Sequence, residues 1–219
     1  TDNWIIWQEA LAGPHAEYAR LLVQRQGRPA FQLLKERHLE LDTDTRAWLL
    51  RWGVVEFALE SVELVALALE QGPEQLALIA LECVPSYDQA SELFAEAVEK
   101  WAQHEDTCIR RAAIAAGAKV DLAGLARGDA DEEVRLAAIK RLGYKAGHAD
   151  FLADLLADDS WRVRSAASQV LGGMGKAGVQ AARRVLECGG QQAKVAAVQA
   201  LLAMGHEDWL KDYFKQARA

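Results

Sequence analysis

Apolar residues recur along most of this chain at the i, i+3, i+4, i+7 spacing that gathers them on one face of a helix. The periodicity predicts helices over 3–12, 14–26, 29–40, 44–59, 61–71, 74–84, 88–103 and 106–117, and then over 131–143, 148–157, 160–172, 177–187, 191–204 and 207–217. No helix is predicted over residues 118–130. Turn signals such as "LAGPH" and "EQGPEQ" separate the helices, and no stretch alternates with period two long enough to demand a strand. The fold class is all-α.

One helical pattern recurs. "DEEVRLAAIKRLG" places Val134, Arg135, Ala137, Ala138 and Leu142 in the order in which "DSWRVRSAASQVLG" places Val163, Arg164, Ala166, Ala167 and Leu171. Downstream, Ala193, Lys194, Ala196, Ala197 and Leu201 continue it; upstream, Ile109, Arg110, Ala112 and Ala113 do, and Leu76, Ile79 and Ala80 form a fainter copy. A repeat of about 25–33 residues is one helix–turn–helix unit, which cannot bury its own apolar face and must stack on its neighbours. The paired alanines admit a close helix–helix approach at each stacking contact. One domain therefore spans 1–219, with divergent acidic repeats over 1–103 and clearer ones over 104–219.

The motif D-x4-V-R-x-A-A-x3-L-G occurs twice, starting at Asp129 and at Asp158. It resembles the HEAT-like repeat of bacterial α-solenoids, the type also found in phycobilisome lyases. The resemblance is best over 104–217. It implies a right-handed α-solenoid of about six to seven helix pairs with a concave face built from the second helices. It also implies that Asp129, Arg135, Asp158 and Arg164 form a ladder that caps helix starts and links adjacent repeats. It implies no single activity, because the family includes scaffolds, lyases, hydroxylases and DNA-repair enzymes.

Charge changes the picture more than composition does. The 219 residues carry a net charge of −7. Residues 1–109 hold 8 Lys and Arg against 19 Asp and Glu, whereas residues 110–219 hold 17 against 13. Such an acidic half repels phosphate backbones, which argues against nucleic acid as the partner and against an alkylpurine DNA glycosylase. A polarised surface steers protein partners instead. The candidate partner-binding residues are Glu56, Glu60 and Glu63, spaced for one helix face, with Arg183, Arg184, Lys211 and Lys215 on the basic side. Trp4 and Trp7 are expected to pack inward, and Trp161 to pack on its entry turn.

Candidate chemistry is sparse. "GMGKAG", Gly173 to Gly178, matches G-x-G-x-x-G formally but follows a helix where a dinucleotide site needs a strand, so it reads as an interhelical turn. His104-Glu105 and His206-Glu207 resemble the His-Glu pairs of deoxyhypusine hydroxylases, but two pairs fall short of the four that such a metal site needs. No catalytic residue, cofactor or metal is expected. Cys83, Cys108 and Cys188 lack a C-x-x-C pair and are each expected to be small core thiols in a reducing, cytoplasmic setting. The acidic N-terminus and broken apolar runs predict neither a signal peptide nor a membrane span. The reading is a non-catalytic interaction module (adaptor, chaperone or inhibitor) for another protein. A bilin lyase-like or glycosylase-like enzyme is the alternative.

Overall fold

The computed structural model of the chain describes residues 2–87, 90–143 and 146–216. These form two compact units, Thr1–Lys119 and Val120–Ala219. The first holds α1 (Asp2–Ala12), α2 (Ala16–Gln26), α3 (Arg28–Glu36), α4 (Thr43–Glu56), α5 (Ala58–Gln71), α6 (Glu74–Cys83), α7 (Ala90–Leu93), α8 (Ala95–Trp101) and α9 (Thr107–Ala116). The second holds α10 (Leu122–Gly128), α11 (Glu132–Leu142), α12 (Ala149–Asp154), α13 (Trp161–Gly172), α14 (Gly175–Cys188), α15 (Gln191–Ala203) and α16 (Glu207–Gln216). No strand occurs among the described residues. The fold is all-α, with helices stacked in each unit as in an α-solenoid.

The repeated alanines explain the stacking. Ala80, Ala113, Ala138, Ala167 and Ala197 occupy the same place in successive copies, and each is wholly buried. Their helices pack side by side: α6 on α9 in the first unit, and α11 on α13 on α15 in the second. A methyl side chain is what permits these approaches. Within the second unit, α10, α12 and α14 each pack against the repeat helix that follows. Ile139, Leu152, Leu156, Leu171 and Leu201 fill the space between the rows with no exposed surface. Ser168 is the buried polar exception, and its hydroxyl donates to the Ala196 carbonyl at 3.1 Å, tying α13 to α15.

The first unit has an aromatic centre. The Phe31 ring stacks on Phe57 at 4.8 Å and meets Trp52 edge-on at 5.5 Å. Gly53 passes beneath it so closely that a Cβ there would lie 2.7 Å from the ring. Trp101, Ser61 and Tyr87 carry polar atoms into this core and pair them. The Trp101 indole N–H donates to the Leu69 carbonyl at 2.8 Å, and the Ser61 and Tyr87 hydroxyls are 2.7 Å apart. Trp4 is buried and donates to the Glu40 carboxylate at 2.7 Å, while Trp7 is half-buried.

The helices depart from the sequence-based expectations in several places; the one expected over 29–40 ends at Glu36, where Arg37 leaves helical geometry (φ −112, ψ 19). The helix expected over 44–59 ends at Glu56, because Phe57 leaves helical geometry (φ −136, ψ 50) to bring its ring onto Phe31. The helix expected over 88–103 is interrupted at Phe94, whose ring is buried against Tyr87; residues 88 and 89 of that expectation lie outside the described residues, as does residue 217 of the last helix. The segment 118–130, where no helix was predicted, contains α10. Asp121 caps it by accepting the Gly124 N–H at 2.9 Å, it packs on α11, and Ala126 is buried in the core. Two glycines in a seven-residue helix hide it from any propensity argument.

Candidate functional site

Ahead of the repeat helices α9, α11 and α13 the chain builds the same turn three times. At the second copy, the Asp129 carboxylate accepts the Asp131 N–H at 2.9 Å, and Asp131 then caps α11 by accepting the Glu133 N–H at 2.8 Å. Arg135, one turn into the helix, reaches back to the carbonyls of Asp129 and Ala130. At the third copy Asp158 accepts the Ser160 N–H at 2.8 Å, Ser160 caps α13, and Arg164 reaches back to the carbonyls of Asp158 and Asp159. At the first copy His104 stands in for the aspartate: its Nδ1 accepts the Asp106 N–H at 3.1 Å, Asp106 caps α9, and Arg110 holds the carbonyls of His104 and Glu105. The caps are thus Asp106, Asp131 and Ser160; the last two lie two residues beyond Asp129 and Asp158, to which the motif assigned that task.

Two of these turns are joined. The Arg135 guanidinium meets the Asp158 carboxylate through Nε at 3.1 Å and Nη2 at 3.0 Å, a forked pair with side chains only 13% and 8% exposed. Beside it, Arg162 pairs with Glu132 at 2.9 Å and also with Glu133, and the Ser160 hydroxyl donates to Glu132. The hydrogen bonds from Ser160 and Arg162 hold the Glu132 carboxyl below its usual range. The motif did not single out Glu132, Glu133 or Arg162. The acid pair opening one helix and the arginine near the start of the next were the available signal.

Most of the charged candidates have partners within the chain. Glu60 pairs with Arg28 at 3.1 Å and Glu63 with Lys35 at 2.9 Å, bridging α3 and α5 along a cleft of about 520 Å³. The Lys35 hydrogen bond and charge lower the Glu63 carboxyl. Glu56 lies on α4 rather than α5, so the expected shared face with Glu60 and Glu63 does not form; the break at Phe57 separates them. Arg184 pairs with Asp150, and the Arg183 guanidinium stacks 4.1 Å from the Trp209 ring. Lys211 pairs with Glu207 at 3.0 Å and Asp208 at 3.3 Å, and Lys215 with Asp212 at 3.6 Å. By contrast, Glu56, Glu70 and Glu96 are exposed and take part in no ion pair among the described residues.

Three expectations about side chains are corrected. Cys108 and Cys188 are exposed rather than buried, since each falls on the outer side of its helix; only Cys83 is a core thiol. Trp161, at the first position of α13, is 69% exposed and does not pack on its entry turn as expected. "GMGKAG" forms the junction of α13 and α14. Gly175 there takes a positive φ of 58°, and a Cβ on Gly178 would lie 2.1 Å from the Leu171 carbonyl. No group of three or more His, Cys, Asp or Glu placed to hold a metal ion occurs among the described residues.

Thiol accessibility gives a direct check. Burial pushes the Cys83 thiol up to about 11, against the opposing pull of Arg51, so it is both shielded and protonated at neutral pH. Alkylation of the native protein at pH 8 is expected to label Cys108 and Cys188 and to reach Cys83 only in denaturant. Labelling of all three at one rate would contradict this packing.

Stacked helix pairs joined by an Asp–Arg turn define the class: an α-helical repeat protein. The particular repeat it resembles follows, for residues 120–209 match the family model of HEAT repeats. No curated protein matches the sequence. No helix among the described residues is long and apolar enough to cross a membrane.

Proposed function

We propose that this protein is a non-catalytic interaction module, an adaptor, chaperone or inhibitor, whose acidic first unit recognises a basic protein partner in the cytoplasm. One observation carries the reading. Residues 52–99 contain ten Asp and Glu and not one Lys or Arg. Arg28, Lys35 and Arg51, from outside that segment, offset three of its acids, Glu60, Glu63 and Glu82. Glu56, Glu70 and Glu96 remain exposed without partners and supply the charge that a basic surface would meet. HEAT repeats commonly serve as protein-interaction modules, and stacked repeats offer an extended surface suited to that task. Arg183, Arg184, Lys211 and Lys215 are engaged by Trp209, Asp150 and acids of α16, which leaves the acidic side as the stronger attractor.

The test is made on a partner isolated with the protein from its native cell and then purified. Raising salt from about 0.1 M to about 1 M shortens the screening length from roughly 10 Å to roughly 3 Å, so association should slow steeply. Glu56→Lys with Glu70→Lys should slow it at low salt and leave the melting of the free protein unchanged. Association indifferent to both, or retention of duplex DNA at low salt by the unmodified protein, would sink this reading.

A further inference from the structure

The second helix is covered on one narrow side only. Of its eleven residues, α2 buries Ala19 and Val23 and nothing else. Its remaining large apolar side chains face water: Tyr18 is 70% exposed, Leu21 58% and Leu22 54%. The neighbouring Ile6 of α1 is 64% exposed and, with Tyr18 and Leu22, lines a cleft of about 460 Å³ between the two helices. Single exposed apolar residues are ordinary on a protein surface, but a contiguous group on one helical hairpin marks a face that another surface covers.

The polar residues on that face say what covers it. A helix advances 100° per residue, so with Ala19 and Val23 turned inward, Leu21 points directly outward. Glu17 stands one turn before Leu21 and Arg25 one turn after, each about 6 Å away along the axis. Both are exposed, and neither has an ion-pair or hydrogen-bonding partner among the described residues. Opposite charges thus sit at equal distances on either side of an outward leucine. That pattern is self-complementary. A second α2 laid antiparallel about a two-fold axis at Leu21 sets Glu17 of each copy toward Arg25 of the other, with the leucines meeting at the centre.

Other occupants fit less well. A basic partner would find one repelling arginine here, and an anionic lipid surface favours helices whose polar flank is uniformly Lys and Arg. In an isologous contact residue i meets j and j meets i, so a patch that carries one charge of each sign at matched distances complements itself. We infer that the exposed face of α2 is a self-association surface through which two copies of this chain pair antiparallel, centred on Leu21. The contact is independent of the acidic face assigned to a basic partner above, so either can fail alone.

The experiment is sedimentation velocity on the full chain over a concentration series, with three kinds of variant. The unmodified chain is expected to show a monomer–dimer equilibrium. Leu21→Glu should abolish the dimer, and since this side chain is exposed, helicity and melting should stay unchanged. Glu17→Arg alone places two arginines opposite two arginines, and Arg25→Glu places acids opposite acids; each should weaken self-association at least about tenfold. The double variant Glu17→Arg/Arg25→Glu should regain it. So should an equimolar mixture of the two single variants, which can pair only with each other. A chain that stays monomeric at every concentration overturns the inference, as does a dimer indifferent to Leu21→Glu. A dimer lost with Leu21→Glu but unmoved by the charge reversals overturns the antiparallel register, and with it the proposal.

Discussion

Arg135→Ala is expected to destabilise the second unit by about 3 kcal/mol or more, the scale on which one half of a shielded ion pair is removed. Three losses coincide. The Asp158 carboxylate, 8% exposed, keeps only the Ser160 N–H, and the carbonyls of Asp129 and Ala130 lose their donor. Arg135→Lys retains the charge but not the fork, so it should recover only part of the loss. Replacing both partners, as in Arg135→Met with Asp158→Leu, removes the stranded charge and should restore more than either single change. Arg184→Ala is the contrast. It breaks a pair whose members are 60% and 75% exposed, and a contact so solvated contributes about 0–1 kcal/mol. Urea unfolding followed by circular dichroism measures all four. Equal losses for Arg135→Ala and Arg184→Ala would mean that the forked pair is no more than a surface contact.

Ala167→Trp is expected to be at least as damaging. Ala167 has no exposed surface, and α13 packs there between α11 and α15, so added bulk has no open side to move into. Overpacking of a well-filled core costs about 1–3 kcal/mol where neighbours can shift. Here α13 is flanked on both sides by repeat helices, and the upper end or beyond is expected. Ala166→Trp, one position earlier and only partly buried, should cost less. The signature is the difference between adjacent alanines. If both variants melt alike, the register of the repeat is wrong.

That register was the most legible feature of the sequence. Ala138, Ala167 and Ala197 could be aligned from their neighbours alone, because burial constrains residue size at a fixed helical phase and size is written in the amino-acid type. Charge pairing was far less legible. Glu63 and Lys35 lie 28 residues apart, and nothing in either segment says that α3 and α5 will bring them within 2.9 Å. The same is true of Arg184 and Asp150. Glu56, Glu60 and Glu63 have the spacing of one helix face; a break was predicted after residue 59, and the Phe57 ring's place on Phe31 moves it to directly after Glu56. The exposure of Cys108 and Cys188 was lost for a related reason. A thiol fits an alanine-rich helix on either side, so composition around it carries no phase. Short α10 escaped because its order comes from the Asp121 cap and from contact with α11, not from its own residues.

The Asp–Arg turn closes on itself over seven residues: His104 to Arg110, Asp129 to Arg135, Asp158 to Arg164. Between these turns the chain runs 18 residues in one interval and 22 in the next. Every hydrogen bond from the arginine to its carbonyls and from the cap to its helix is internal to the seven. A four-residue insertion in an interval therefore leaves each turn intact. Copies can be duplicated, lengthened or lost in the gene while the protein keeps its helix starts in order. Such a turn behaves as a self-contained unit that can recur along a chain without redesign of what lies between its copies.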